Sequence, residues 1–245
     1  MRIDAKGLHY GDLNEKIHQA ANSGDKELIL DNVNGQRYIG DGLTGGGIKI
    51  VVNGTAGNDL AAFMDGPTIT VNPSAQDGIG NTMNAGKIII HGNAGDIVGH
   101  SMRGGRIYVR GDAGYRIGIH MKAYKHLYPV IIIGGTAGDF LGEYMAGGLI
   151  VVLGLDSEKD VPVVGNYTGT GMHGGMIYIR GSIEDYQLGK EVGKFSLDNE
   201  DEKTLGEYLK DYCACFSLDF GEIMDSRFIK LSPSSHRPYG KLYAY

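Results

Sequence analysis

Residues 92–111 read Gly92-Asn93-Ala94-Gly95-Asp96-Ile97-Val98-Gly99-His100-Ser101-Met102-Arg103-Gly104-Gly105-Arg106-Ile107-Tyr108-Val109-Arg110-Gly111, and most of the chain repeats this unit. Aligned on it, an isoleucine recurs as Ile50, Ile69, Ile88, Ile107, Ile131, Ile150 and Ile177, the first four 19 residues apart. Two positions on stand Val52, Val71, Ile90, Val109, Ile133, Val152 and Ile179, so each unit closes on the period-two alternation of a strand. Met64, Met83, Met102, Met121, Met145 and Met172 form another column and use six of the nine methionines, which chance spacing does not produce. Leu60, Ile79, Val98, Ile117 and Leu141 form a third column, and Ala56, Ala75, Ala94, Ala113 and Ala137 a small-residue column. Glycines separate them, notably Gly80, Gly99, Gly118, Gly142 and Gly169.

Such a period describes a solenoid, in which one unit cannot bury its own apolar face and stacking supplies the core. Nineteen residues is too short for paired-helix repeats, the leucine-rich spacing is absent, and no six-residue subperiod points to a hexapeptide coil. The pattern is that of a parallel β-helix, with like residues piled into ladders at about 4.8 Å. Glycine suits its corners, where positive φ costs other residues about 1–2 kcal/mol.

The chain has 245 residues and a net charge of −6. That balance argues against a general nucleic-acid binder, which needs a basic surface to neutralise phosphates. No apolar run reaches membrane-spanning length, the N-terminus does not open a signal peptide, and the two cysteines fit a reducing compartment, so a cytoplasmic location is expected. Residues 1–34 read as a cap: Asp12 and Glu15 have capping-box spacing, Leu13, Ile17, Ala20 and Ala21 share a helical face, and Leu28–Leu30 leads into the coils. Such a cap covers an otherwise open sheet edge. Residues 35–181 form the coils, and residues 182–245 read as a helical extension and tail, with Leu205, Tyr208, Leu209, Tyr212 and Phe216 at helical steps.

Two insertions interrupt the coils, five residues around 123–129 and eight around 155–162. In a solenoid, insertions bulge from one face and often bind. Tyr124, Lys125, His126 and Tyr128 make the first more aromatic than a solvated loop requires, and it reads as a docking element or a tolerated loop. Arg237 and Tyr239 in the terminal segment belong either to an arm packed on its own coils or to a segment that reaches into a partner. Arg103, Arg106, Arg110 and Arg116 make two turns basic, as ordinary surface pairing or an interface patch.

Signals for chemistry are few. Gly169-Thr-Gly171-Met-His-Gly174 has dinucleotide-loop spacing but precedes a strand pattern where a helix should open. Cys213 and Cys215 supply two thiols where structural metal sites want three or four ligands. The histidines do not cluster at ligand spacing. Asn58, Asp77, Asp96 and Asp139 form a column that reads as turn-capping side chains, the alternative being a polysaccharide-active or calcium-binding carboxylate ladder. The absence of tryptophan argues against a sugar platform.

The units Gly92-Asn-Ala-Gly95-Asp-Ile-Val-Gly99 and Gly135-Thr-Ala-Gly138-Asp-Phe-Leu-Gly142, followed by Met-x-Gly-Gly-x-Ile, resemble the C-terminal domain of the glutamate synthase large subunit. The whole chain, through Gly118-Ile-His-Met-Lys122 and Arg237-Pro-Tyr-Gly240, is similar to the freestanding form of that domain. One component of formylmethanofuran dehydrogenase shares the glycine pattern. The resemblance implies a right-handed single-stranded β-helix, here of about seven coils, that packs against catalytic domains in a system passing amide nitrogen from glutamine to 2-oxoglutarate. It implies glutaminase and flavin/iron–sulfur synthase chains as partners, with flavin and iron–sulfur clusters on those chains and none here. No catalytic, cofactor-binding or metal-binding residue carries over. The expected function is a scaffold subunit; the rivals are a formylmethanofuran dehydrogenase component and a stand-alone polysaccharide enzyme. Self-association of the chain is left open.

Overall fold

The isoleucine column becomes one ladder. In the computed structural model, which describes residues 1–157 and 161–234, Ile50, Ile69, Ile88, Ile107, Ile131, Ile150 and Ile177 pair in register on successive parallel strands. Those strands are β3 (Lys49–Thr55), β4 (Asp65–Asn72), β5 (Ala85–Ile90), β6 (Arg106–Val109), β7 (Val130–Ile133), β8 (Ala146–Val152) and β9 (Gly174–Arg180). The ladder extends backward through β1 (Arg2–Asp4) and β2 (Glu27–Asn34), also parallel. The result is a β-solenoid of about six turns, a rough match to the seven or so coils expected.

The other columns close the coil. Ala56, Ala75, Ala94, Ala113, Ala137 and Val164 bridge turn to turn on a second, narrow face. The isoleucine ladder, the methionine column and the Leu60–Leu141 column all point inward and are fully buried or nearly so. A third face is a corner in which alternate residues carry positive φ, as at Ile97, Gly99 and Ser101 (52°, 70° and 54°). The His100 N–H donates to Ile97 O and the Met102 N–H to Gly99 O, giving two overlapping reverse turns with positive φ at their third residue. The middle position needs glycine for a second reason: a Cβ on Gly118 would lie 2.5 Å from Ile150 Cδ1, and one on Gly142 2.7 Å from Ile177 Cδ1.

Helix α1 (Tyr10–Asn22) closes the first end, burying Leu13, Ile17 and Ala20 in the same core as Ile3 and Ala5. Its N-cap is His9, whose ring nitrogen accepts from the Gly11 N–H, and not Asp12, which sits in the first turn where its charge favours the helix dipole. At the other end the edge of β9 is closed by strands: β11 (Phe228–Pro233) pairs antiparallel with β9, and β10 (Val192–Phe195) with β11. Helix α2 (Asn199–Phe216), followed by α3 (Phe220–Met224), lies on the outer face of the sheet. There Leu205, Leu209, Tyr212 and Cys213 pack on Tyr108, Ile132, Val151 and Tyr178 as a second core. Thus β6 to β9 are buried on both faces, whereas the outward Val51, Thr70 and Ile89 of earlier turns remain partly open.

Candidate docking surface

The first insertion folds into a small hairpin on the coil surface. Tyr124 and Leu127 exchange backbone hydrogen bonds at 3.1 and 2.9 Å, Lys125 takes positive φ at its tip, and the Lys125 ammonium lies 5.2 Å from the centre of the Tyr124 ring. Tyr124, Lys125 and His126 are exposed. Tyr128 is partly committed within the chain: its ring stacks on Tyr208 of α2, and burial pushes its hydroxyl up to about 12. Arg103 and Lys122 stand beside the hairpin, both exposed and without a carboxylate partner among the described residues. Arg237 and Tyr239 lie outside the described residues.

The corner face carries a row of large side chains that sequence reading, apart from Arg116, did not single out. Ile97, Arg116, Phe140 and Tyr167 occupy its first positive-φ column, and Phe63, His120 and Tyr144 its third. They pack on one another along the stack. Phe140 stacks on Tyr167 at 5.0 Å, His120 on Tyr144 at 5.3 Å, and the Arg116 guanidinium covers Phe140 at 5.0 Å while pairing with Glu143 at 2.9 Å. His100 meets His120 edge-on, and partial burial, then its like-charged neighbour, hold its pKa below the ordinary value despite the pull of Asp59.

Among the other basic residues that sequence reading grouped together, Arg106 and Arg110 turn to the chain's own carboxylates. Asp211 of α2 accepts from Lys87 Nζ at 2.7 Å, Arg106 Nη1 at 2.5 Å and the Tyr108 hydroxyl at 3.0 Å. Burial opposes its ionisation, but these donors outweigh burial and hold it below the usual carboxylate range. Asp201, 5% exposed, likewise accepts from the Tyr178 hydroxyl at 2.6 Å and Lys230 Nζ at 2.7 Å, with the same balance of effects. Arg110 pairs with Asp156 at 2.6 Å.

The acidic column is occupied by structure. Asp77 Oδ1 accepts the Asp96 N–H, Asp96 Oδ1 the Tyr115 N–H, and Asp139 Oδ1 the Asn166 N–H, at 2.7–2.9 Å, each tying one turn to the next. Gly169 and Gly171 are corner residues, and strand β9 begins at Gly174, so the glycine loop opens no helix. Cys213 is on the buried face of α2, against the sheet, and burial above all pushes its thiol up. Cys215 lies two residues on, about 200° around the helix, so the pair does not converge on one ion.

A family model described as the GXGXG motif matches residues 26–234. The chain belongs to the GXGXG motif family. This GXGXG chain is 49% identical over 248 positions to an uncharacterized protein of Methanocaldococcus jannaschii, covering 98% of this chain and 95% of the relative. It also shares its fold with a chain of the formyltransferase/hydrolase complex of Methylorubrum extorquens, solved in complex with methylofuran. That likeness has a TM-score of 0.65 at 20% identity and covers 86% of this GXGXG chain and 80% of the other. Among the described residues no helix is long and apolar enough to cross a membrane.

Proposed function

We propose that this protein is a non-catalytic scaffold subunit of a multi-chain complex that moves amide nitrogen from glutamine to 2-oxoglutarate, its coil right-handed as parallel crossovers generally are. The chemistry belongs to glutaminase chains and to flavin- and iron–sulfur-bearing synthase chains. The observation that carries this reading is where the chain's acidic groups go: Asp77, Asp96 and Asp139 hold backbone N–H groups, and Glu143, Asp201 and Asp211 hold the chain's own cations. A catalytic cleft needs convergent titratable groups left free for substrate. Membership of the family, and a fold shared with a chain of a multi-subunit complex, support the scaffold reading. The hairpin bearing Tyr124, Lys125, His126 and Tyr128, with Arg237 and Tyr239 of the terminal segment, is its docking element, the cations beside it suiting a partner surface rich in carboxylates.

The test is gentle purification of the tagged chain from native extract, with mass spectrometry and absorbance of what accompanies it. Flavin- and glutaminase-bearing chains are expected. Molybdenum- or tungsten-containing partners without flavin replace this reading with the formylmethanofuran-type one. A chain that emerges alone overturns the scaffold role.

A further inference from the structure

A cavity of about 630 Å³ lies between the second insertion and the segments that close the coil. Residues 161–163 of the insertion line it, with Glu184 and Gln187 from the turn after β9, and Arg180 and Arg227 from the ends of β9 and β11. Its size is that of a small-molecule site. The lining is held in place by the chain's own hydrogen bonds. At the base of the insertion the Gly154 N–H donates to Gly135 O at 3.0 Å and the Leu155 N–H to Gly134 O at 2.8 Å. Gln187 is buried: its Nε2 donates to Val164 O at 2.6 Å, and its Oε1 accepts the Glu184 N–H at 3.0 Å. Such preorganisation lowers the cost of binding.

Arg180 is the exception among the chain's half-buried cations. Lys87, Arg106, Arg110 and Lys230 each meet a carboxylate. Arg180 is half-buried too, yet among the described residues no carboxylate pairs with it. Its Nε donates to Ser226 Oγ at 2.8 Å and its Nη1 to Leu153 O at 3.2 Å, while Nη2 has no partner among those residues. A guanidinium fixed by neutral acceptors at the wall of a cavity suits a carboxylate from outside the chain.

The other charges narrow the ligand. Arg227 and Glu184 line the same cavity, both exposed, and among the described residues neither has an ion-pair partner. Arg180 also borders a crevice lined by Asp219 and Glu222, whose charges keep the surroundings from being net positive. A polyanion such as phosphate gains little there. Opposite charges that share a cavity without pairing match a ligand that carries both. We propose that this cavity binds a free α-amino acid, its carboxylate on Arg180 and Arg227 and its ammonium on Glu184. Among the described residues no histidine or cysteine lines it, so the site recognises a ligand and leaves the non-catalytic reading in place.

Isothermal titration of the full chain with each proteinogenic L-amino acid tests the site. At least one is expected to bind with a dissociation constant of about 1 mM or below. Its amide, which lacks the carboxylate, and its des-amino acid, which lacks the ammonium, should each bind at least tenfold more weakly. Glu184→Gln changes an exposed side chain, so the fold should hold. It should weaken the amino acid tenfold or more and leave the des-amino acid unchanged. Arg180→Gln should weaken both, and Arg227→Gln makes the same test on an exposed residue in case the loss of Arg180 loosens its contact with Ser226. No binding by any amino acid overturns the proposal, as does tighter binding of inorganic phosphate or an affinity that Glu184→Gln leaves unchanged. Binding is read on the full chain alone and the scaffold role from what copurifies, so either can fail without the other.

Discussion

Asp201 and Asp211 are spaced on α2 to match Tyr178 and Tyr108 on the sheet. Ten helical residues rise about 15 Å, and β9 and β6 are three strand spacings apart, about 14 Å. Each carboxylate therefore meets a tyrosine hydroxyl of its own rung, at 2.6 and 3.0 Å. Helix α2 runs along the stack, against the direction of coil growth, and staples the four strands β6 to β9 together.

Replacing Asp201 by Ala leaves Lys230 and the Tyr178 hydroxyl without their partner in a largely buried site. The expected loss is about 2–4 kcal/mol, with hydrogen exchange in α2 rising more than in β3 to β5. Equal protection throughout would show that α2 is not held by this contact.

Acid should undock α2. Asp201 and Asp211 are both held below the usual carboxylate range in the folded chain. Their contribution is complete above the unfolded value of about 3.9 and is lost as pH falls through it toward their lower folded values. Thermal melts in steps below pH 5 should show this loss, and the slope should flatten in the Asp201→Asn/Asp211→Asn double variant. An unchanged slope assigns the acid sensitivity elsewhere.

Gly118→Ala tests the corner against the core. The new methyl group meets Ile150 Cδ1 at 2.5 Å, and φ is +71°. Left-handed strain and overpacking together cost roughly 2–4 kcal/mol, a fall in Tm of roughly 5–15 °C for a chain of this size. Adding Ile150→Val, which removes that methyl, should recover part of the loss. No recovery would mean that the backbone alone carries the cost.

The inner ladders were legible because stacking places like residues at one repeat position, so Ile107 and Met102 announce their columns without any long-range knowledge. The second core was not, since Tyr108 and Asp211 are 103 residues apart in sequence. A signal was nevertheless present: Val130–Ile133 and Leu149–Leu153 are unbroken apolar runs, the mark of strands covered on both faces. The end of β9 is closed by β10 and β11 where a helical extension was expected, because a helix cannot satisfy the hydrogen-bonding groups of an edge strand. The large corner residues read as ordinary surface until their backbone angles are known. Arg237 and Tyr239 lie where the structure describes nothing.

The docking role of the hairpin can be tested by substitution without disturbing the fold. Tyr124→Ser, Lys125→Glu and His126→Ser change exposed side chains that bear no buried contact, so each should shift stability by no more than about 0.5 kcal/mol. Tyr128 is left in place because it stacks on Tyr208 and its loss would loosen α2. If the hairpin docks an acidic partner, the triple variant weakens binding to the flavin- or glutaminase-bearing chains by tenfold or more, about 1.4 kcal/mol, and the wild-type complex weakens with salt. Wild-type affinity for those chains in the triple variant, measured by titration at two salt concentrations, removes the hairpin from the interface and leaves the terminal segment around Arg237 as the remaining candidate.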